Sequence, residues 1–308
     1  MSKIPVIIDC DPGIDDALAL FLACSSDKLD IRAITPVAGN VPLEHTSTNT
    51  LRLLELMGKD IKVALGADGP LVGERETAES VHGEAGLGTT VLELKNKVFH
   101  SKDAIETIYE EAKACNGELR LIVLGPNTTI ALALKKYPEL KDMIHSITIM
   151  GGGVNVGNVT KYAEFNIFAD AEAAKIVFES GIEINMIGLN VTNRATLLED
   201  DIKEIGTYNN KVAKVAAELL EFMIPVYKGF GQDGASMHDP ITVAYLIDNS
   251  IFEMEKHCVT VEVENEERKG ETVVHLDKEN GQVANVNVAM NADFSAFKNM
   301  LKEALKAY

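Results

Sequence analysis

The 308-residue chain carries 47 acidic against 29 basic residues, a formal net charge of −18 at neutral pH. That balance disfavours nucleic acid and anionic membrane surfaces as partners, because both are engaged through basic side chains. The length suffices for a full α/β core, the scattered Cys10, Cys24, Cys115 and Cys258 indicate neither a zinc knuckle nor a disulfide framework, and no apolar run approaches the ~20 residues of a membrane span.

Apolar runs of strand length alternate with helical patterns over the first two-thirds, which predicts a mostly parallel central sheet flanked by helices on both faces. The first strand is expected at residues 4–9, the first helix at 15–24, a second strand at 29–37, a helix at 43–57 closed by Gly58, and a short strand at 62–65. From residue 66 to 100 the pattern fails, and so long a loop within a compact domain is usually functional or mobile. Alternation resumes with a helix at 102–114 capped by Ser101, a strand at 119–124, a helix from about Thr128, a strand at 146–150, a helix at 171–180 and a strand at 184–189. A long helix at 209–227 and a loop at 228–237 lead to a helix that starts at His238-Asp239-Pro240 and runs to residue 247. Alternating patterns at 258–263, 272–276 and 285–290 predict a late antiparallel excursion at the sheet edge, before a closing helix at 294–308. With no internal repeat or low-complexity linker, residues 1–308 are expected to form a single domain, and the composition suits a cytoplasmic enzyme.

Asp9, Asp11, Asp15 and Asp16 crowd into the first strand-to-helix junction. A helix N-terminus accepts one or two carboxylates as caps, but four in one turn repel one another unless a hard cation with oxygen ligands, Ca²⁺ or Mg²⁺, neutralises them. In open α/β sheets ligands bind beyond the carboxyl ends of the strands. The chain's unusual polar residues fall at those expected ends: Asn40 after the second strand, Gly125-Pro126-Asn127-Thr128 after the fourth, and Gly151-Gly152-Gly153 with Asn158, Glu164 and Asn166 after the fifth. Taken alone, Asn40 reads as a turn residue, the glycines as close packing, and Asp239-Pro240 as an ordinary helix start. Their convergence is the signal.

Asp9-x-Asp11-Pro12-Gly13-x-Asp15-Asp16, Val37-x-Gly39-Asn40, Gly125-Pro126-x-Thr128, Met150-Gly151-Gly152, Asn158 with Ala163-Glu164-Phe165-Asn166, and His238-Asp239-Pro240 together resemble the inosine-uridine preferring nucleoside hydrolases, in order and across nearly the whole chain. The resemblance implies a Ca²⁺ ion held by Asp11, Asp16, the backbone carbonyl of Thr128 and Asp239, with Asp11 as general base toward a water. It implies ribose held through its 2′- and 3′-hydroxyls by Asp15, Asn40 and Asn166 and through its 5′-hydroxyl by Asn158 and Glu164, with Met150 beneath the sugar. His238, with His82 as a second candidate, is implied as the proton donor to the leaving base, since histidine changes protonation near neutral pH. It also implies a homodimer or homotetramer. Tyr227 and Phe230 are candidates for stacking on the base, as the chain has no tryptophan.

Asn127 and Thr129 stand where Leu and Asn commonly flank the threonine of the fourth block, Ala171 replaces a usual Pro, and Asn190 and Asn193 stand where Asp and His are common. None removes an expected metal ligand. The function expected is Ca²⁺-dependent hydrolysis of ribonucleosides of the inosine or uridine type to ribose and free base, with a pyrimidine-specific member as the alternative. A Mg²⁺ phosphatase built on Asp9-x-Asp11 lacks the Arg and Lys that a phosphate needs. A non-catalytic nucleoside-binding protein would not need Asp11, Asp16 and Asp239 together.

Overall fold

The computed structural model describes residues 3–96, 98–101, 103–276 and 283–308. In chain order it forms β1 (Ile4–Cys10), α1 (Ile14–Ser25), β2 (Leu29–Pro36), α2 (Leu43–Met57), α3 (Glu79–His82), α4 (Ala104–Ala114), β3 (Leu119–Val123) and α5 (Thr128–Lys136). There follow β4 (Ile144–Met150), α6 (Phe165–Ala169), α7 (Ala171–Phe178), β5 (Glu183–Ile187), α8 (Leu189–Thr192), β6 (Thr196–Leu197), α9 (Glu199–Gly206) and α10 (Lys211–Gly229). The remainder is β7 (Ala235–Ser236), α11 (His238–Ile247), β8 (Phe252–Val261), β9 (Thr272–His275), β10 (Val286–Ala292) and α12 (Phe294–Lys306).

Eight strands make one sheet in the order β2-β1-β3-β4-β5-β10-β8-β9. Pairing is parallel from β2 through β5 to β10, then antiparallel from β10 to β8 and from β8 to β9. The expected mostly parallel sheet with a late antiparallel excursion is therefore present. Alternation along β1 sends Val6, Ile8 and Cys10 into one core, with Leu18, Leu220, Val243 and Leu301, and Ile7 into the other, with Ile108, Ile130 and Val177. Both faces are covered, which is why the central strands read as continuous apolar runs. Every parallel strand delivers its carboxyl end to the same side, where the unusual polar residues collect.

Local differences from expectation have physical causes. The expected strand at 62–65 is reduced to two bridges, Val63 to Ile34 and Ala64 to Ser101. Asp103, not Ser101, caps α4 by accepting from Glu106 N at 3.0 Å, while Ser101 Oγ accepts from Asp103 N at 3.0 Å; Lys102, the expected first residue, lies outside the described residues. β8 begins at Phe252, six residues early, because exposed Glu253, Glu255 and Lys256 obscure its alternation. α10 is capped by Asn210 and carries Pro225 within it. Met237 holds the cap position of α11 with no side-chain cap, which leaves the Asp239 carboxylate free of that duty. Among the described residues no helix is long and apolar enough to cross a membrane.

Candidate active site

The turn after β1 is built around Asp16, the third residue of α1. Its Oδ1 accepts from Asp11 N at 3.1 Å, and its Oδ2 accepts from Gly13 N at 3.0 Å and Asn40 Nδ2 at 3.1 Å. Asp11 Oδ2 accepts from Asn40 N at 2.7 Å, while its Oδ1 is buried with no hydrogen-bond partner. Glycine is required around it, since a Cβ on Gly125 would lie 2.6 Å from Asp11 Oδ1 and one on Gly39 would overlap Asp11 Oδ2. From α11, Asp239 completes the group: carboxylate oxygens of Asp15, Asp16 and Asp239 lie within 4.8 Å of one another.

Burial raises all four carboxyls. Asp16 is pushed up to about 6 by burial, and Asp15 to about 7 by burial and the charge of Asp16. Asp11 stands well above its ordinary value through burial and Asp16, and Asp239 through burial and the charges of Asp15 and Asp16. Among the described residues no lysine or arginine lines the adjoining cavity to offset them. Buried all-oxygen donors, an orphaned carboxylate oxygen and no cationic side chain fit a hard divalent cation. The close trio contains Asp15 and omits Asp11, which lies on the same turn with its Oδ1 unpartnered. Thr128 is buried at the first position of α5, its Oγ1 donating to Asp170 Oδ2 at 2.6 Å.

Above the carboxylates a cavity of about 510 Å³ is lined by Asp15, Asn40, Met150, Asn158, Glu164, Asn166, His82, His238 and Asp239, among others. Asp11 and Asp16 lie outside that lining and are fully buried. Asn166 Nδ2 donates to Leu124 O at 2.6 Å and Met150 O at 3.1 Å, an orientation that leaves its Oδ1 for a ligand. Glu164 caps α6, accepting from Asn166 N, Ile167 N and Gly152 N. Burial nevertheless carries its carboxyl up to about 7. At the rim, Asn158 fixes its Oδ1 on Phe165 N at 2.9 Å, which frees its amide hydrogens.

The histidines differ from expectation in charge. Burial pulls His238 down to about 4, and burial with the charge of His238 pulls His82 to about 3, so each is neutral near pH 7. His238 places Nδ1 2.7 Å from Thr192 Oγ1 and Nε2 3.2 Å from Tyr227 OH. His82 Nδ1 accepts from Ile14 N at 3.1 Å, which puts its single ring proton on Nε2. Either ring can therefore donate only as a neutral imidazole.

Asp9 departs from the cluster. It follows Ile7 toward the second core, accepts from Thr35 Oγ1 at 2.6 Å, and is raised to about 7 by burial. Cavity residues given no role in the sequence include Phe165, Asn193, Gln232 and, from the irregular segment, Thr77, Ala78, Ser80 and Val81. The length of that segment was the available signal. Thr192 and Asp170, which touch the site residues from behind, carried none.

An open sheet with a buried carboxylate group beneath a cavity at its strand ends, where no lysine or arginine stands among the described lining residues, suits a divalent cation and a neutral substrate. The model of the inosine-uridine preferring nucleoside hydrolase family matches residues 6–299, and the chain belongs to that family. It is thus an enzyme acting on N-glycosyl bonds of nucleosides. The pyrimidine-specific ribonucleoside hydrolase RihA of Photobacterium profundum is 43% identical over 314 residues, covering 100% of both chains. RihA of Shewanella woodyi is 41% identical, covering 99% of this chain and 98% of that protein. Among solved structures, a plant nucleoside hydrolase, PpNRh1, aligns over 100% of both chains with a TM-score of 0.94 and 33% identity. A purine-preferring ribonucleoside hydrolase from Gardnerella vaginalis aligns over 98% of both with a TM-score of 0.93 and 31% identity.

Proposed function

We propose that the protein is a Ca²⁺-dependent ribonucleoside hydrolase that prefers pyrimidine nucleosides, releasing ribose and the free base. The observation that carries this reading is the group of Asp11, Asp15, Asp16 and Asp239, buried without a cationic side chain at the floor of the cavity. Preference for pyrimidines rests on the RihA relatives. A purine-preferring protein shares the fold at lower identity, so the fold leaves the base undecided.

Asp11, Asp16, Asp239 and the Thr128 carbonyl would hold the cation, and the chemistry it would supply there is neutralisation of the carboxylates and a lowered pKa for the attacking water. Asp11 Oδ1, with no other partner, takes the proton from the attacking water as general base. Asp15 lines the cavity where Asp11 and Asp16 do not, and with Asn40 and Asn166 it grips the 2′- and 3′-hydroxyls. Asn158 and Glu164 take the 5′-hydroxyl, and Met150 lies beneath the ring. Carboxylate and amide oxygens around the sugar stabilise the positive charge that develops as the N-glycosidic bond breaks. His82, through its Nε2–H, and His238, through the Tyr227 hydroxyl that meets its Nε2, supply a proton toward the leaving base, with Phe230 beside it.

The single domain at 1–308, a cytoplasmic location and a homodimer or homotetramer complete the proposal; a monomer in sedimentation would remove the last. Release of reducing sugar from uridine, cytidine and inosine, measured before and after chelation and again with Ca²⁺ restored, tests the activity. Chelator-sensitive release restored by Ca²⁺ and fastest with the pyrimidines is expected. Release indifferent to the chelator, or none at all, overturns the reading.

A further inference from the structure

Asn49 sits in the middle of α2 at 1% exposure, beside Leu51, Leu53 and Leu54, where an apolar side chain would pack. Its Oδ1 is buried without a partner. Its Nδ2 donates instead to two chain segments at once, Pro12 O at 3.1 Å and Ala85 O at 2.7 Å. Pro12 belongs to the aspartate turn, and Ala85 lies three residues beyond His82. The amide orientation is forced, because the reverse would set an acceptor against two carbonyls.

The surrounding backbone is shaped to this contact. Gly86, at φ +87°, would put a Cβ 2.9 Å from Pro12 O and 3.0 Å from Asn49 Nδ2, and Gly13 would put one 2.6 Å from His82 Nδ1. Around it the segment closes on itself through Gly88 N to His82 O at 2.7 Å, and joins the site through Ala78 N to Asn40 O at 2.9 Å. Ile14 N then reaches His82 Nδ1, so the ring's direction depends on the segment being seated.

We propose that Asn49 is a positioning residue that latches the His82 segment onto the aspartate turn and thereby aims His82 Nε2–H at the substrate. This rests on the reading of the cavity as a nucleoside site. Asn49→Leu, close in volume, removes both donations. In the full-length protein with Ca²⁺ present, hydrogen exchange over residues 78–90 is expected to accelerate several-fold in that variant, while β3 and β4 keep wild-type protection. Turnover of uridine is expected to fall by the same factor as in His82→Ala, about 100-fold at most. The double variant should fall no further than either single one, as for two residues acting as a unit. Unchanged exchange over 78–90, acceleration spread evenly through the chain, or a double variant that loses the product of the single losses overturns the latch. Should Asn49→Leu not fold, Gly86→Ala disturbs the same contact from the loop side and carries the same expectations. If the wild type cleaves no nucleoside, the proposed function falls, and the exchange measurement alone decides the latch.

Discussion

Tyr227 holds its hydroxyl 3.2 Å from Nε2 of His238 while Thr192 Oγ1 takes the other ring nitrogen, so both nitrogens meet neutral partners. Neither partner carries a charge to favour an imidazolium. With His238 lowered to about 4, the pH profile of kcat should show no inflection near 6.5 from this residue. Tyr227→Phe removes one hydroxyl from the ring and is expected to lower kcat about tenfold, the worth of about one hydrogen bond. Steady-state rates between pH 5 and 9 check both points. An inflection near 6.5 that vanishes in His238→Gln would mean the imidazole is charged at work.

Protons and the cation compete for the same carboxylates. Asp15 and Asp16 have folded-state values of about 7 and about 6 against an ordinary 3.8. For groups raised in this way the folded state holds more protons than the unfolded one between those limits, so cation-free stability declines as pH rises through that window. Cation binding needs the ionised forms, so its contribution moves the other way. The melting-temperature gain on adding Ca²⁺ should be larger at pH 8 than at pH 5.5, and cation-free protein should melt lower at pH 8. A Ca²⁺ shift that does not change with pH would place the ion elsewhere.

Asp11 and Asp15 are separable by readout. Asp11 is sealed beneath the cavity with an orphaned oxygen, whereas Asp15 forms part of its wall. Asp11→Asn should lower kcat by about 10²–10⁴-fold, the usual range for a lost general base. It should also weaken Ca²⁺ binding in calorimetry. Asp15→Asn should keep most of the Ca²⁺ affinity and show its loss with substrate. If Asp15→Asn abolished Ca²⁺ binding and Asp11→Asn did not, the close trio of Asp15, Asp16 and Asp239 would be the ligand set.

Much of the site was legible because parallel strands send their carboxyl ends to one side, so the chemistry could be located without knowing the packing. Asp11, Asn40 and Met150 sit at or just beyond such ends, and Asn166, on α6, bonds Leu124 O and Met150 O there. What was not legible depends on contacts distant in sequence. Asp9 looks equivalent to Asp11 two residues on, yet the strand ends between them, and Asp9 turns toward Thr35 while Asp11 turns toward Asn40. The charge of His238 depends on its burial, and its Nδ1 is met by Thr192, 46 residues away. The irregular segment could be marked only by its length, since its seat is set by Asn49 on another element. β8 was read short because an edge-side strand with Glu253, Glu255 and Lys256 exposed does not alternate cleanly.

Asp170 ties Thr128 to the rest of the molecule. Its Oδ2 accepts from Thr128 Oγ1 at 2.6 Å and from Leu71 N at 2.8 Å, and its Oδ1 caps α7 through Ala173 N at 3.0 Å. The group proposed to face the cation is the Thr128 backbone carbonyl, which Thr128→Val preserves along with side-chain shape. That variant removes only the hydroxyl, leaving Asp170 Oδ2 with one donor, and should cost about 1–3 kcal/mol of stability in denaturant melts. Because the hydroxyl fixes the first turn of α5, Ca²⁺ affinity should fall with it, and Asp170→Asn, whose Nδ2 must face either Ala173 N or Leu71 N, should cost at least as much stability. Unchanged Ca²⁺ affinity in Thr128→Val, measured by calorimetry on folded protein, would show that the carbonyl is held without the side chain or is not a ligand.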